Sequence, residues 1–250
     1  MKVVIFCGGR GMRLDSFSEH LPKPMASIGG RPLLWHIMSY YAHFGHHRFV
    51  LCLGYRGSSI RDYFGKREFQ RNGWEIEFLD TGLDTSIGQR FAAARDSIDE
   101  DLFLTSYGDT LTDADLPTLI RTREESGKLA SLLAVPPNYS FNVVASDEAN
   151  LVTGFHDVAE SPLWINGGFF VFDRRVFDYV HDGDDMPEIL GRLIAERELL
   201  AIKYDGFWSP MDTLKDQQWL ENLHESGQAP WQLWNSEPSA DVRAVAAATA

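Results

Sequence analysis

Three glycines crowd into four residues at Gly8, Gly9 and Gly11, and Arg13 follows. Without side chains the backbone approaches a ligand closely and turns its N–H groups toward it, so the segment GGRGMRL has the make-up of a phosphate cradle. No Gly-Lys-Ser/Thr follows, and Leu14 stands where a dinucleotide fingerprint has its third glycine. Nine residues past Arg13 the chain reads Pro22-Lys23-Pro24-Met25. Prolines on both sides restrict the backbone and aim the lysine. A rigidly aimed ammonium beside a glycine loop is what transfer at a phosphorus centre requires. The loop holds a polyphosphate, while Arg13 and Lys23 neutralise charge that develops in the transition state. Asp109, after an apolar run and Tyr107-Gly108, and Asp212, in GFWSPMDT, are candidate ligands for Mg²⁺. That ion takes one or two carboxylates and completes its shell with phosphate oxygens and water.

The elements that must position these groups follow from the hydrophobic pattern. Residues 2–7 (KVVIFC) form a continuous β-branched run ending in glycine, the pattern of a strand buried on both faces of a parallel sheet. Helix-like and strand-like stretches then alternate: a helix over 31–44, strands over 48–53 and 74–79, a helix over 58–64, a strand over 101–105, a helix over 113–126 and a strand over 129–135. This predicts an α/β fold with helices on both faces of the sheet. After Pro136-Pro137 the pattern predicts a smaller α+β half: short strands over 141–145, 151–155 and 168–172, a helix over 186–197 and a strand over 199–204. The two halves read as one intertwined domain over 1–235. The Ala-rich segment 236–250 has no sustained apolar face and reads as a disordered tail.

A 44% hydrophobic and 24% charged composition suits a folded core. Apolar runs fall short of the roughly 18 residues of a membrane span, and the N-terminus lacks the apolar core of a signal peptide. Cys7 and Cys52 sit inside apolar runs and read as buried small hydrophobes, consistent with a cytoplasmic protein. The net charge of −13 argues against nucleic acid and anionic membranes as partners. Residues 1–31 run against that balance, with five Lys/Arg to two Asp/Glu, which suits a small anionic ligand. Trp208, Trp219, Trp231 and Trp234 cluster near the C-terminal end and are expected to serve packing or an oligomer interface.

Taken in order, GGRGMRL, PKPM, SIGGRPLLWHIM, GYRGSSIRDYF, the Thr-Gly of 81–82, YGD, INGGFFVF and GFWSPMDTLKD resemble the sugar-1-phosphate nucleotidyltransferases, and among them the glucose-1-phosphate cytidylyltransferases. The resemblance spans residues 1–234. It implies the Rossmann-like nucleotidyltransferase fold, a three-layer sandwich around a mixed, mostly parallel sheet, and with it Mg²⁺ and a nucleotidyl group passed from a nucleoside triphosphate to a sugar 1-phosphate, with pyrophosphate released. By position it implies that Phe6, Cys7, Gly8, Gly9, Arg10, Gly11, Met12 and Arg13 cradle the triphosphate and that Lys23 steadies the phosphate under attack. It further implies that Thr85 and Arg90 contact the nucleotide and Gly108 packs beside it. Asp109 and Asp212 would hold the metal, and Asn166 would face the sugar. A homo-oligomer is the expected assembly.

The chain departs from the family pattern at three places. Met12 replaces a threonine and Gln89 replaces a glycine. Aligned from Phe155, Asp157 and Val158 stand where the family carries Glu-Lys-Pro, whose lysine grips the acceptor's phosphate. A charged hydrogen bond of this kind is worth about 1.5–3 kcal/mol, so its loss weakens acceptor binding about ten- to a hundred-fold. Lys203 or His156 is the expected substitute. Three readings stay open: a sugar-phosphate nucleotidyltransferase, a nucleotidyltransferase with another phosphate or phosphonate acceptor, and a non-catalytic nucleotide-binding homologue.

Overall fold

The computed structural model describes residues 1–9, 21–138 and 141–235. The strands are β1 (Lys2–Phe6), β2 (Ser27–Ile28), β3 (Arg31–Pro32), β4 (Arg48–Leu53), β5 (Glu75–Asp80), β6 (Leu102–Tyr107), β7 (Thr110–Thr112), β8 (Ala130–Val135), β9 (Asn142–Ser146), β10 (Val152–Asp157), β11 (Ile165–Asp173), β12 (Leu199–Lys203) and β13 (Trp208–Pro210). The helices are α1 (Leu33–His43), α2 (Gly57–Phe64), α3 (Arg67–Arg71), α4 (Ile87–Ala93), α5 (Leu116–Ser126), α6 (Met186–Ala195) and α7 (Leu214–Glu225). Among the described residues seven strands form one sheet in the order β12-β8-β11-β6-β1-β4-β5. β11 alone of these runs antiparallel to its neighbours, so the sheet is mixed and mostly parallel, as the resemblance implies.

The alternation of β1 divides the core into two. Val3 and Ile5 point to the face covered by α1, α2, α5 and α7, while Val4 and Phe6 point to the face covered by α4 and α6. Hence the three layers. β8, β11 and β12, from the second half of the chain, complete the sheet begun by the first half. Several elements had weak sequence signals. The short α3 and α4 and the three-residue strands β7 and β13 carry too few residues for a period to show. Helix α7 buries a single side chain, Leu220, completely, so its apolar stripe is thin. Its start is nevertheless marked by a capping box between Thr213 and Asp216.

The chain passes from β1 to β4 and β5 on one side, then returns to β6 on the other side of β1. Strand order reverses there, and an open α/β sheet leaves a crevice beyond the carboxyl ends of its strands at that point. The tryptophans near the C-terminus serve packing. Trp231 is buried and donates its indole N–H to His36 Nδ1 at 3.2 Å. Trp234 meets Trp35 edge to face, Trp219 stacks on Phe207, and buried Trp208 donates to the Gly167 carbonyl at 2.7 Å.

His36 thus joins three pieces, because its Nε2 also bonds the Ile28 carbonyl at 2.9 Å. With both ring nitrogens engaged this way it is neutral. Burial pulls its pKa from 6.5 down to about 4. The unfolded chain therefore binds a proton near pH 6.5 that the folded chain refuses until about pH 4, and stability falls as pH drops through that window. The thermal midpoint should decline between pH 6.5 and 4. In His36→Gln the decline should be shallower, as read by thermal melts across that range.

Candidate active site

Asp109 and Asp212 lie far apart in sequence, and a small ribbon brings them together. β7 begins directly after Asp109, β13 ends two residues before Asp212, and the two pair antiparallel with Pro210 opposite Thr110. The Met211 N–H closes the ladder on the Asp109 carbonyl at 2.8 Å. Asp212 is steadied from the other side, where its N–H and that of Thr213 donate to the Asp216 carboxylate at 2.9 and 2.7 Å.

Lys23 reaches both carboxylates. It opens a 3-10 turn, Lys23–Met25, whose entry residue Pro22 is extended and whose Pro24 is buried. The Met25 and Ala26 N–H groups close the turn on the Pro22 and Lys23 carbonyls. The flanking prolines do fix the backbone. The Lys23 ammonium donates to Asp109 Oδ2 at 2.7 Å and Asp212 Oδ1 at 2.5 Å. Burial alone would lower the Lys23 pKa. Attraction to Asp109 and the hydrogen bonds to both carboxylates outweigh that, so the pKa stands above 10.5. Asp109 Oδ1 also accepts from the Thr110 hydroxyl at 3.0 Å.

This cluster borders a cavity of about 390 Å³ beyond the ends of β1 and β6. Of the positions singled out in the sequence, Phe6, Cys7, Gly8, Gly9, Lys23, Thr85, Arg90, Gly108 and Asp109 line it. Pro24, Ser86, Ile87, Tyr107 and Asp185 line it as well. Asp185 had a readable signal: with Glu188 it forms the capping box of α6, and its Oδ1 accepts from Gly88 N of α4 at 2.9 Å. Gly108 lets β6 close on β1, since a Cβ there would stand 2.7 Å from the Phe6 carbonyl oxygen.

Two of the lining residues spend their polar atoms on the protein. The Thr85 hydroxyl is turned into its own loop, donating to the Thr81 carbonyl at 2.5 Å. The Arg90 guanidinium is buried and bonded to protein oxygens beneath the cavity. Gly8 correspondingly lacks a side chain for a reason other than close approach of a ligand. A Cβ there would lie 2.0 Å from Arg90 Nη1. At Gly9, by contrast, a Cβ would meet open space.

Neither Asn166 nor Lys203 lines the cavity. Asn166 reaches its edge through Tyr107, donating from Nδ2 to the Tyr107 hydroxyl at 3.1 Å. Lys203 and Asn166 are both paired with Ala134, one on each side of β8, and the Lys203 ammonium sits over the Trp164 ring. His156 lies on β10, half-buried, with Nε2 3.5 Å from the Ser161 hydroxyl. Val158 is buried at 2% exposure, so this position could not present a cation to a ligand without rebuilding the turn. Arg10, Gly11, Met12, Arg13 and the 236–250 tail lie outside the described residues.

For Mg²⁺, the donor set fits. Two carboxylates converge on one point beside the cavity. Two hard oxygen donors, with the rest of the shell left to phosphate and water, suit that ion. Among the described residues no group of three or more His, Cys, Asp or Glu is gathered to hold a metal unaided.

Mixed sheet, switch-point crevice and paired carboxylates define a phosphate-handling α/β protein. The nucleotidyl transferase family model matches residues 2–213, and the chain belongs to that family. It is a nucleotidyltransferase of the sugar-1-phosphate branch, as the motifs implied. It is 36% identical over 258 residues to the glucose-1-phosphate cytidylyltransferase of Salmonella typhi, covering 94% of this chain and all of that one. The fold is shared with the crystal structure of HddC from Yersinia pseudotuberculosis, at TM-score 0.68 and 22% identity over 89% of this chain and 99% of that one.

The two carboxylates hold the Lys23 pKa up, so removing one should lower it. In Asp212→Asn, Lys23 should titrate at lower pH than in the wild type, followed by NMR of ¹³C-dimethylated lysines. An unchanged Lys23 titration would mean that the contact to Asp212 is not formed in solution.

Proposed function

We propose that this chain transfers a cytidylyl group from CTP to a sugar 1-phosphate, with glucose 1-phosphate the leading acceptor. The observation that carries this reading is the Lys23 ammonium held between Asp109 and Asp212 at the wall of a glycine-floored cavity. The base and sugar come from the relative of known name, whose whole length this chain matches. An oxygen of the acceptor's phosphate attacks the α-phosphorus of CTP. The new P–O bond forms as the α–β bond breaks, and pyrophosphate leaves with the electron pair. The reaction needs two polyanions brought together, and the chain's own groups answer that need. The Lys23 ammonium lies within reach of the attacked phosphate. The N–H of Gly9, at the floor, offers a neutral donor to the departing end. Asp109 and Asp212 would hold Mg²⁺, which when bound supplies charge neutralisation between the phosphates. Asn166 and Tyr107, joined by a hydrogen bond, stand at the rim where an acceptor hydroxyl would meet them.

A second acceptor class is favoured by one observation. Val158 is buried in the turn where the family's phosphate-gripping lysine is expected, and the expected substitute Lys203 sits over the Trp164 ring and does not line the cavity. A phosphate or phosphonate acceptor other than a hexose 1-phosphate fits that rim. A cytoplasmic homo-oligomer belongs to the same reading. Unburied apolar side chains for a contact between copies are present on the β9–β10 ribbon, where Val144 and Phe155 pair across the strands and are more than half exposed.

A pyrophosphate-release screen of the common nucleoside triphosphates against sugar 1-phosphates and phosphonates tests both readings. CTP with glucose 1-phosphate should give the largest kcat/KM. A phosphonate preferred over every sugar 1-phosphate would favour the second. Lys23→Ala should lower kcat by about two to three orders of magnitude, as for loss of a preorganised charge at the transition state. Wild-type turnover in that variant would remove Lys23 from the chemistry.

A further inference from the structure

Arg90 is a buried cation that the reaction, as described, does not use. It is 3% exposed, and among the described residues no carboxylate lies within ion-pair distance of it. Arginine is almost never buried so fully without a charged partner. Here the fork is spent on neutral oxygens from three loops. Nη1 donates to the Leu53 carbonyl at the end of β4, at 3.0 Å, and to the Thr81 hydroxyl just after β5. Nη2 donates to the Gly8 carbonyl just after β1, at 3.1 Å. The Thr81 hydroxyl passes its own proton to the Leu53 carbonyl at 2.7 Å. One planar guanidinium thus ties together the carboxyl ends of three adjacent parallel strands, which a flexible ammonium with a single centre cannot do.

The surrounding glycines are cut to its shape. A Cβ at Gly8 would fall 2.0 Å from Nη1, and one at Gly54 would fall 2.8 Å from Nη1 and 2.6 Å from the Gly8 carbonyl oxygen. The Gly8 carbonyl has a second donor, the Tyr55 N–H at 3.1 Å. Both of its lone pairs are therefore held. The described chain has no cis peptide, and in a planar trans unit the C=O of one residue and the N–H of the next point in opposite directions. Fixing the Gly8 carbonyl downward on Arg90 and Tyr55 turns the Gly9 N–H upward, to the open side where Gly9 lines the cavity. That N–H has no hydrogen-bond partner among the described residues, and a Cβ on Gly9 would touch nothing.

We infer that Arg90 is a positioning residue for nucleotide binding: it pins the Gly8 carbonyl so that the Gly9 N–H is presented to a phosphate oxygen of the triphosphate. This rests on the reading of the cavity as a nucleoside triphosphate site. The contact is to the donor nucleotide, so its loss weakens CTP binding and leaves the acceptor side alone.

Three variants and two readouts test it. CTP with Mg²⁺ is titrated calorimetrically into wild type, Arg90→Gln, Arg90→Lys and Thr81→Val, each first checked for folding by circular dichroism, and the KM for the acceptor is measured alongside. Arg90→Gln and Arg90→Lys should each weaken CTP binding at least tenfold, with the acceptor KM changed by less than about twofold. Thr81 does not line the cavity, so Thr81→Val removes the hydroxyl's bonds to Arg90 and Leu53 without changing a lining group. It should weaken CTP binding about threefold to tenfold, and it stands in for the Arg90 variants if they fail to fold. Wild-type CTP affinity in Arg90→Lys would show that charge and not the fork is what matters, and would overturn the inference. So would wild-type affinity in Thr81→Val, or an acceptor KM that rises in step with the CTP dissociation constant. The second readout is the ligand-free Gly9 amide cross-peak in ¹⁵N NMR, which should shift in Arg90→Gln or, failing its folding, in Thr81→Val. If wild type binds no nucleoside triphosphate, the functional reading fails; an unmoved Gly9 amide overturns the role of Arg90 whatever the ligand proves to be.

Discussion

Two carboxylates held against one ammonium are the contact on which the arrangement of this site depends. Left alone beside a cavity, Asp109 and Asp212 would repel each other. The ammonium of Lys23 removes that conflict, and it draws three distant segments to one place: the turn after the glycine loop, the end of β6, and the entry to α7. The β7–β13 ribbon and the prolines around Lys23 are the covalent and hydrogen-bonded supports of this one contact. α7 extends the support. Its first turn fixes Asp212, and further along it Gln217 bonds the Ser27 carbonyl and Glu221 accepts from the Gly29 N–H, in the hairpin that follows Lys23.

The floor of the cavity obeys a different constraint. There the cation is Arg90, it meets only neutral oxygens, and the neighbouring glycines are shaped around it. A positive group on the wall that answers to carboxylates, and another beneath the floor that orders the backbone, divide the work. On the proposed function, Lys23 would exchange one set of oxygens for another when phosphates arrive, while Arg90 would stay in place. A cavity so arranged would be prepared for polyanions before any are bound, which is what electrostatic preorganisation requires.

Much of the fold could be read from the sequence because its signals are continuous. β1 and β4 are unbroken apolar runs, and a strand buried on both faces has few other ways to look. The candidate site residues Lys23, Asp109 and Asp212 could be singled out from residue type and place, since prolines around a lysine and aspartates at strand ends have few structural uses in common. Arg90 was legible as important but not in its role. Its partners are two main-chain carbonyls and one hydroxyl at the ends of three strands, and no residue type announces a carbonyl. The same holds for Gly8, which reads as a ligand-facing glycine and, besides lining the cavity, makes room for a guanidinium. Val158 shows the limit of aligning a motif by count: the position matches the family's lysine, but its side chain is buried in a 3-10 turn.

The central claim, that Lys23, Asp109 and Asp212 form one phosphate-transfer centre, is tested most directly by a crystal structure with Mn²⁺ and a non-hydrolysable CTP analogue. The account predicts an anomalous Mn²⁺ peak shared by the Asp109 and Asp212 carboxylates, with the Lys23 ammonium withdrawn from at least one of them and bonded to a phosphate oxygen. A nucleotide bound in the cavity while Lys23 keeps both carboxylates, or a metal bound away from them, would contradict it.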